Sequence, residues 1–72
     1  MRSRVLASRL RERVLVTTKR GDTFDGVLYS LDRSALVLRQ AVAVGAGENK
    51  TDLPLDGELI VLMADVDFIQ RP

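Results

Sequence analysis

The chain has no cysteine and no histidine among its 72 residues. Disulfides are therefore impossible, and a zinc site would have neither thiolate nor imidazole to use. The same absences remove Cys nucleophiles, His general bases and Ser-His-Asp triads, so the composition argues against an enzyme before any motif is considered. No cofactor and no metal is expected. Aromatic residues are few, Phe24, Tyr29 and Phe68, with no tryptophan. Long apolar runs are missing as well. The longest covers residues 59–64, far short of the roughly 20 residues of a membrane span. An arginine-rich N-terminus without a following apolar stretch does not read as a signal peptide, so the expected location is the cytoplasm.

What remains is enough for one small domain. A chain of this length buries only about 60% of the surface its unfolded form exposes, so its core alone is marginal. With disulfides and metals excluded, self-association is the expected extra support. Net charge is only +1, but it is spread unevenly. Residues 1–20 hold seven basic side chains and one acid, Glu12, giving +6; residues 21–72 hold four basic and nine acidic side chains, giving −5. Such asymmetry marks an anion-binding face, complementary faces of neighbouring subunits, or simply a solvated basic side.

Residues 2–11 read as a short helix, with Ser3 as a cap and Val5, Leu6 and Leu10 as a narrow apolar stripe. At about two and a half turns it needs something to dock on. From Arg13 the period becomes two. Val14, Val16 and Thr18 alternate with Leu15 and Thr17 in a β-branched strand. Residues 19–22 supply a hairpin turn, with Gly21 free to take positive φ. A second strand runs over residues 23–31, with Phe24, Gly26 and Leu28 on one face and Tyr29 on the other. A glycine there indicates a bulge, a sharp bend or the close approach of another backbone. After the turn at Asp32, Arg33 and Ser34, a third strand covers residues 35–44, Leu36 and Leu38 inside and Arg39 outside. Residues 45–56 read as a loop. A fourth strand over 58–63 and a fifth over 66–70, joined by Ala64 and Asp65, read as a terminal hairpin too apolar to be left with free edges.

The expectation is thus mainly β: a short N-terminal α-helix followed by a five-stranded, strongly bent antiparallel open barrel in a single domain spanning 1–72. Pairing the free edge of one subunit with that of the next, head to tail, closes into a ring when the rotation permits. The expected contact joins the fourth strand of one subunit to the fifth of the next, near Leu59, Ile60, Val61, Val66, Phe68 and Ile69.

Two stretches carry a family resemblance. Over residues 13–44 these are Val14-Leu15-Val16, Gly21, Phe24-Asp25-Gly26-Val27-Leu28, Asp32 and Leu36-Val37-Leu38. Over residues 57–70 they are Gly57, Val61, Val66 and Ile69. In this order, around a variable loop, they resemble the two motifs of the Sm and Sm-like (LSm) superfamily. The resemblance implies an N-terminal helix, a small SH3-type barrel and a homo-oligomeric ring of five to seven subunits. The segments RQAVAVG and DVDFIQRP further resemble small Sm-like proteins of bacteriophages of high-G+C Gram-positive bacteria, which implies host cytoplasm or virion as the location.

The departures bear on function. The resemblance implies an asparagine after the aspartate and an arginine after the last motif's first strand, as grips for RNA. Here Ser34 or Ala35 stands in the first place, and Leu62-Met63 in the second. Asp32 alone is kept, and an aspartate repels phosphate. Two functions follow as expectations. One is a ring-forming nucleic-acid scaffold, most naturally for RNA, with Arg4, Arg9, Arg11, Arg13, Asp32, Arg33 and Ser34 as candidate contacts. The other is a non-enzymatic structural or protein-interaction subunit, such as a small phage assembly component. Asp32 has a plain structural role open to it, accepting backbone N–H bonds in its turn. Tyr29 is the better stacking candidate among the aromatics, while Phe68 fits packing, and Asp65 and Asp67 fit solvated charges.

Overall fold

The computed structural model describes residues 10–71. Among them are six strands: β1 Arg13–Thr18, β2 Thr23–Leu31, β3 Ala35–Ala43, β4 Leu53–Pro54, β5 Glu58–Leu62 and β6 Val66–Gln70. All pairings are antiparallel. The mainly β expectation holds, with one strand more than expected. The expected helix over residues 2–11 lies outside the described residues through residue 9. Its last two positions, Leu10 and Arg11, are in a turn, and Arg11 has a left-handed φ of 71° that no α-helix accommodates.

The period-two patterns become the core. Val14, Val16 and Thr18 of β1 are buried, as are Leu28 of β2 and Leu36 and Leu38 of β3. Three fully buried leucines, each contributing about 2–3 kcal/mol, form the centre, closed by Leu31, Ala41 and Val61. The β1–β2 turn is built on Gly21 at φ 95°, with its N–H donating to the Thr18 carbonyl at 2.9 Å.

Two irregularities bend the sheet. Asp25 pairs with Val42 and Val27 with Arg39, so Gln40 and Ala41 of β3 together face Gly26 alone. Gln40 sits at φ 52°, the left-handed region that the first residue of a G1-type bulge takes. A Cβ on Gly26 would lie 3.1 Å from the Leu38 Cβ and 3.3 Å from the Ala41 Cα. Gly26 therefore marks both a bulge and a close backbone approach. Three residues on, Leu28 pairs with Leu38 and Ser30 with Val37, which leaves Tyr29 extra. That slip is why Leu28 and Leu31 can both point inward although three apart.

The hydrogen-bonded order across the sheet is β5–β3–β2–β1–β6, with the short β4 continuing β5's side of β3. β5 and β6 follow one another in the chain but occupy opposite ends of this path, so they are not the terminal hairpin expected from their short link. A 3-10 turn, Met63–Asp65, carries the chain from one edge to the other. It is fastened at both ends: the Met63 N–H donates to Ser34 O at 2.8 Å, and the Lys19 N–H to Asp65 O at 2.9 Å. Because Val61 of β5 and Val66 and Ile69 of β6 pack on the same core as Val14 and Val16, the sheet curls until its two edges approach one cluster. β4 lies inside the expected loop. Leu53 and Pro54 pair with Ala43 and Val42, a contact that no local sequence pattern announces.

Candidate nucleic-acid and assembly site

The β2–β3 turn is held by Asp32. Its Oδ1 accepts the Ser34 N–H at 2.7 Å and the Ala35 N–H at 3.0 Å. These two bonds, Ala35 first and then Ser34, favour the ionised carboxylate and hold its pKa below the usual aspartate value. The Asp32 side chain therefore has the structural role that its turn position allowed. Beside it, Ala35 pairs with Leu62, and the Ser34 carbonyl takes the Met63 N–H. Asp32, Arg33, Ser34, Leu62 and Met63 thus converge at one end of the sheet. The assembled cluster offers an anionic carboxylate and an apolar pair, with Leu62 55% exposed. Arg33 is its only cation among the described residues.

The other candidate contacts lie elsewhere. Arg4 and Arg9 are outside the described residues. Arg11 reaches the same end of the sheet: its N–H donates to Leu28 O at 2.6 Å, four residues before Asp32, or about 13 Å along an ideal strand. Arg13 lies further in. Its Nε donates to Asp25 Oδ1 at 3.1 Å and its Nη2 to the Gln40 carbonyl at 3.4 Å, so it clamps β1 to β2 and to the β3 bulge. Lys19 and Arg20, which contribute to the positive first third of the sequence, fall in the β1–β2 turn at the opposite end. Among the described residues, the basic side chains do not form one face.

A grouping that sequence reasoning missed sits on the outer face. Tyr29 is approached by two guanidinium groups, Arg39 Cζ at 3.4 Å and Arg11 Cζ at 4.5 Å from the ring centre. Arg39 in turn bonds Glu58 of β5, with Nη2 2.7 Å and Nε 2.9 Å from Oε2. The Glu58 bond is the main reason the Arg39 pKa is raised. Only the outward placement of Tyr29 and Arg39 was readable beforehand. Their meeting depends on the Tyr29 bulge.

The assembly candidates divide in two. Leu59, Val61, Val66 and Ile69 turn inward, with Val61 in the core and the others packed on it. Ile60, 63% exposed, and Phe68, 46% exposed, turn outward. Along β5, the residues Leu59 to Leu62 border an open groove of about 350 Å³ whose far wall carries Phe24, Lys19 and Asp65. Among the described residues no group of acidic side chains is arranged to hold a metal, and no helix is long and apolar enough to cross a membrane.

No protein-family model and no curated protein matches the chain. Solved structures do. A heptameric archaeal Sm protein superposes with a TM-score of 0.83 at 22% identity, over 97% of this chain and 98% of that one. The SmAP1 heptamer of P. aerophilum gives 0.81 at 23%, over 94% and 88%. The SmAP (LSm) protein of Methanococcus vannielii gives 0.71 at 21%, over 92% and 87%. The chain has the Sm fold.

Proposed function

We propose that this chain is a non-enzymatic scaffold that closes into a homo-oligomeric ring and carries single-stranded nucleic acid, RNA in the first place. The observation that carries the reading is the pair of edges, β5 and β6, unpaired among the described residues and at opposite ends of one curled sheet. An exposed apolar edge is an aggregation hazard unless it is covered. Each edge can cover the other's counterpart on the next copy, and a head-to-tail contact repeated around a closing rotation leaves no edge exposed. In such a contact Ile60 of β5 and Phe68 of β6, both outward and exposed in the single protomer, become neighbours across the new strand pair. Two of the similar structures are themselves heptamers, which supports a ring of about that size within the range of five to seven copies.

The nucleic-acid part rests on charge. Five arginines and no acid other than Glu12 precede β1's second residue, and a ring multiplies that charge by its number of copies. The test is binding of short RNA and DNA at about 50 and 200 mM salt. Strong, salt-sensitive binding supports the scaffold. Absence of binding at the lower salt sinks it and leaves the second reading, a structural subunit that binds protein or itself. The Asp32 turn favours that second reading, because its carboxylate is committed to its own backbone and its neighbours are Leu62 and Met63. Phage origin and a cytoplasmic or virion location belong to the same proposal.

A further inference from the structure

We infer that the outer-face cluster of Arg11, Tyr29 and Arg39 is the nucleic-acid contact of this protein, in place of the Asp32 turn; the inference rests on the scaffold reading above. Two cations lie over one aromatic ring here, at 3.4 and 4.5 Å from its centre. They repel each other, and only one has a carboxylate partner, Arg39 with Glu58. Among the described residues, Arg11 is in no ion pair. An exposed guanidinium lying over a ring keeps edge N–H donors for a further acceptor. Its fork fits phosphate in a bidentate way. The cations would suit a carboxylate as well as a phosphate, but guanidinium planes and a ring together also offer a surface on which a nucleobase stacks.

The surroundings point the same way. Arg11 is held in place by its own N–H bond to Leu28 and by a left-handed φ of 71°, so its side chain starts from a fixed backbone. Residues 1–9, which lead into it, contain Arg2, Arg4 and Arg9 and no acid. A strand of nucleic acid passing over this face meets a cation, a stacking plane and a second cation. At the Asp32 turn it meets a carboxylate held ionised beside Leu62 and Met63.

The test uses the full chain and a fluorescein-labelled 20-nucleotide oligouridylate, followed by anisotropy at about 50 and 200 mM NaCl. Arg11→Gln is expected to weaken binding at least fivefold at the lower salt and to make the salt dependence shallower by about 0.7 in log–log slope per lost contact. Lys50→Gln, a control on the distant 3-10 turn Glu48–Lys50, is expected to stay within twofold of the parent, and Tyr29→Phe to bind like it. Ultraviolet crosslinking of the unaltered protein, read by mass spectrometry, is expected to place the adduct on Tyr29. If Arg11→Gln alters assembly, the crosslink decides alone. Binding by the parent with no difference between Arg11→Gln and Lys50→Gln, or with adducts absent from Tyr29, overturns this site and leaves the scaffold reading intact. No binding by the parent overturns both.

Discussion

Adding one methyl group at Gly26 tests the bend that shapes the whole barrel. The new Cβ would meet the Leu38 Cβ at 3.1 Å and both Cα and Cβ of Ala41 at 3.3 Å. Ordinary carbon contacts lie near 3.5–4.0 Å, so three contacts must each open by a few tenths of an ångström at once. One is backbone in the β3 bulge, and Leu38 is fully buried, so neither neighbour has free space to move into. Overpacking of this kind costs about 1–3 kcal/mol. Loss of unfolded-state freedom on replacing glycine returns about 0.4–1 kcal/mol. Gly26→Ala should therefore lose about 1–2 kcal/mol, or roughly 5–15 °C in Tm for a domain of this size, and Gly26→Val should lose more. Gly21 supplies the contrast. Nothing lies within 4 Å of its added Cβ, but φ is 95°. There Gly→Ala is strained by the backbone alone, and Gly→Asn should be tolerated better because asparagine visits positive φ. At Gly26 the order reverses, since asparagine is larger. Thermal denaturation followed by circular dichroism, at equal protomer concentration because assembly contributes to Tm, reads both series. A Gly26→Ala protein as stable as the parent, or Asn outperforming Ala at Gly26, would refute the close-approach argument.

Three further outcomes follow from the same geometry. Ile60→Asp leaves the isolated protomer's stability within about 0.5 kcal/mol, since the side chain is exposed there, but sets a charge against the neighbour's strand; light scattering should report loss of the ring with an unchanged far-ultraviolet spectrum. Leu28→Ala removes a fully buried side chain and should cost about 2–5 kcal/mol, a large fraction of the stability of so small a domain, read as a collapse of the denaturant midpoint. Asp32→Ala loses two backbone bonds, and its effect should depend on pH. A carboxylate whose pKa is lowered by folding stabilises fully above its unfolded value near 3.8. That contribution disappears as pH falls through the lower folded value. The midpoint gap between parent and variant should therefore be constant near neutrality and close only in strong acid.

Much of the fold was legible because burial alternates along single strands. Val14 and Val16, and Leu36 and Leu38, declare their inner face by period alone, and Gly26 declared the bend. Three features lay beyond local pattern. Leu53 and Pro54 form a strand only because β3 offers them an edge. Ala64 and Asp65 have the length of a hairpin link, yet the bonds from Met63 to Ser34 and from Lys19 to Asp65 route the chain across the barrel instead. Arg39 reads as an outward charge, but its meeting with Tyr29 and Arg11 requires a one-residue slip between β2 and β3. The spread of the described cations was not legible either: the β1–β2 hairpin sends Lys19 and Arg20 to the end opposite Arg11. The structural role of Asp32 was readable, since a turn aspartate accepts nearby backbone N–H bonds, here those of Ser34 and Ala35.

The ring itself is tested most directly by native mass spectrometry of the purified particle, before and after nuclease treatment. The account predicts a single closed species of five to seven copies of the 8.0 kDa chain, with additional nucleic-acid mass that nuclease removes. A folded 8.0 kDa monomer at micromolar concentration, stable with both edge strands bare, would contradict it.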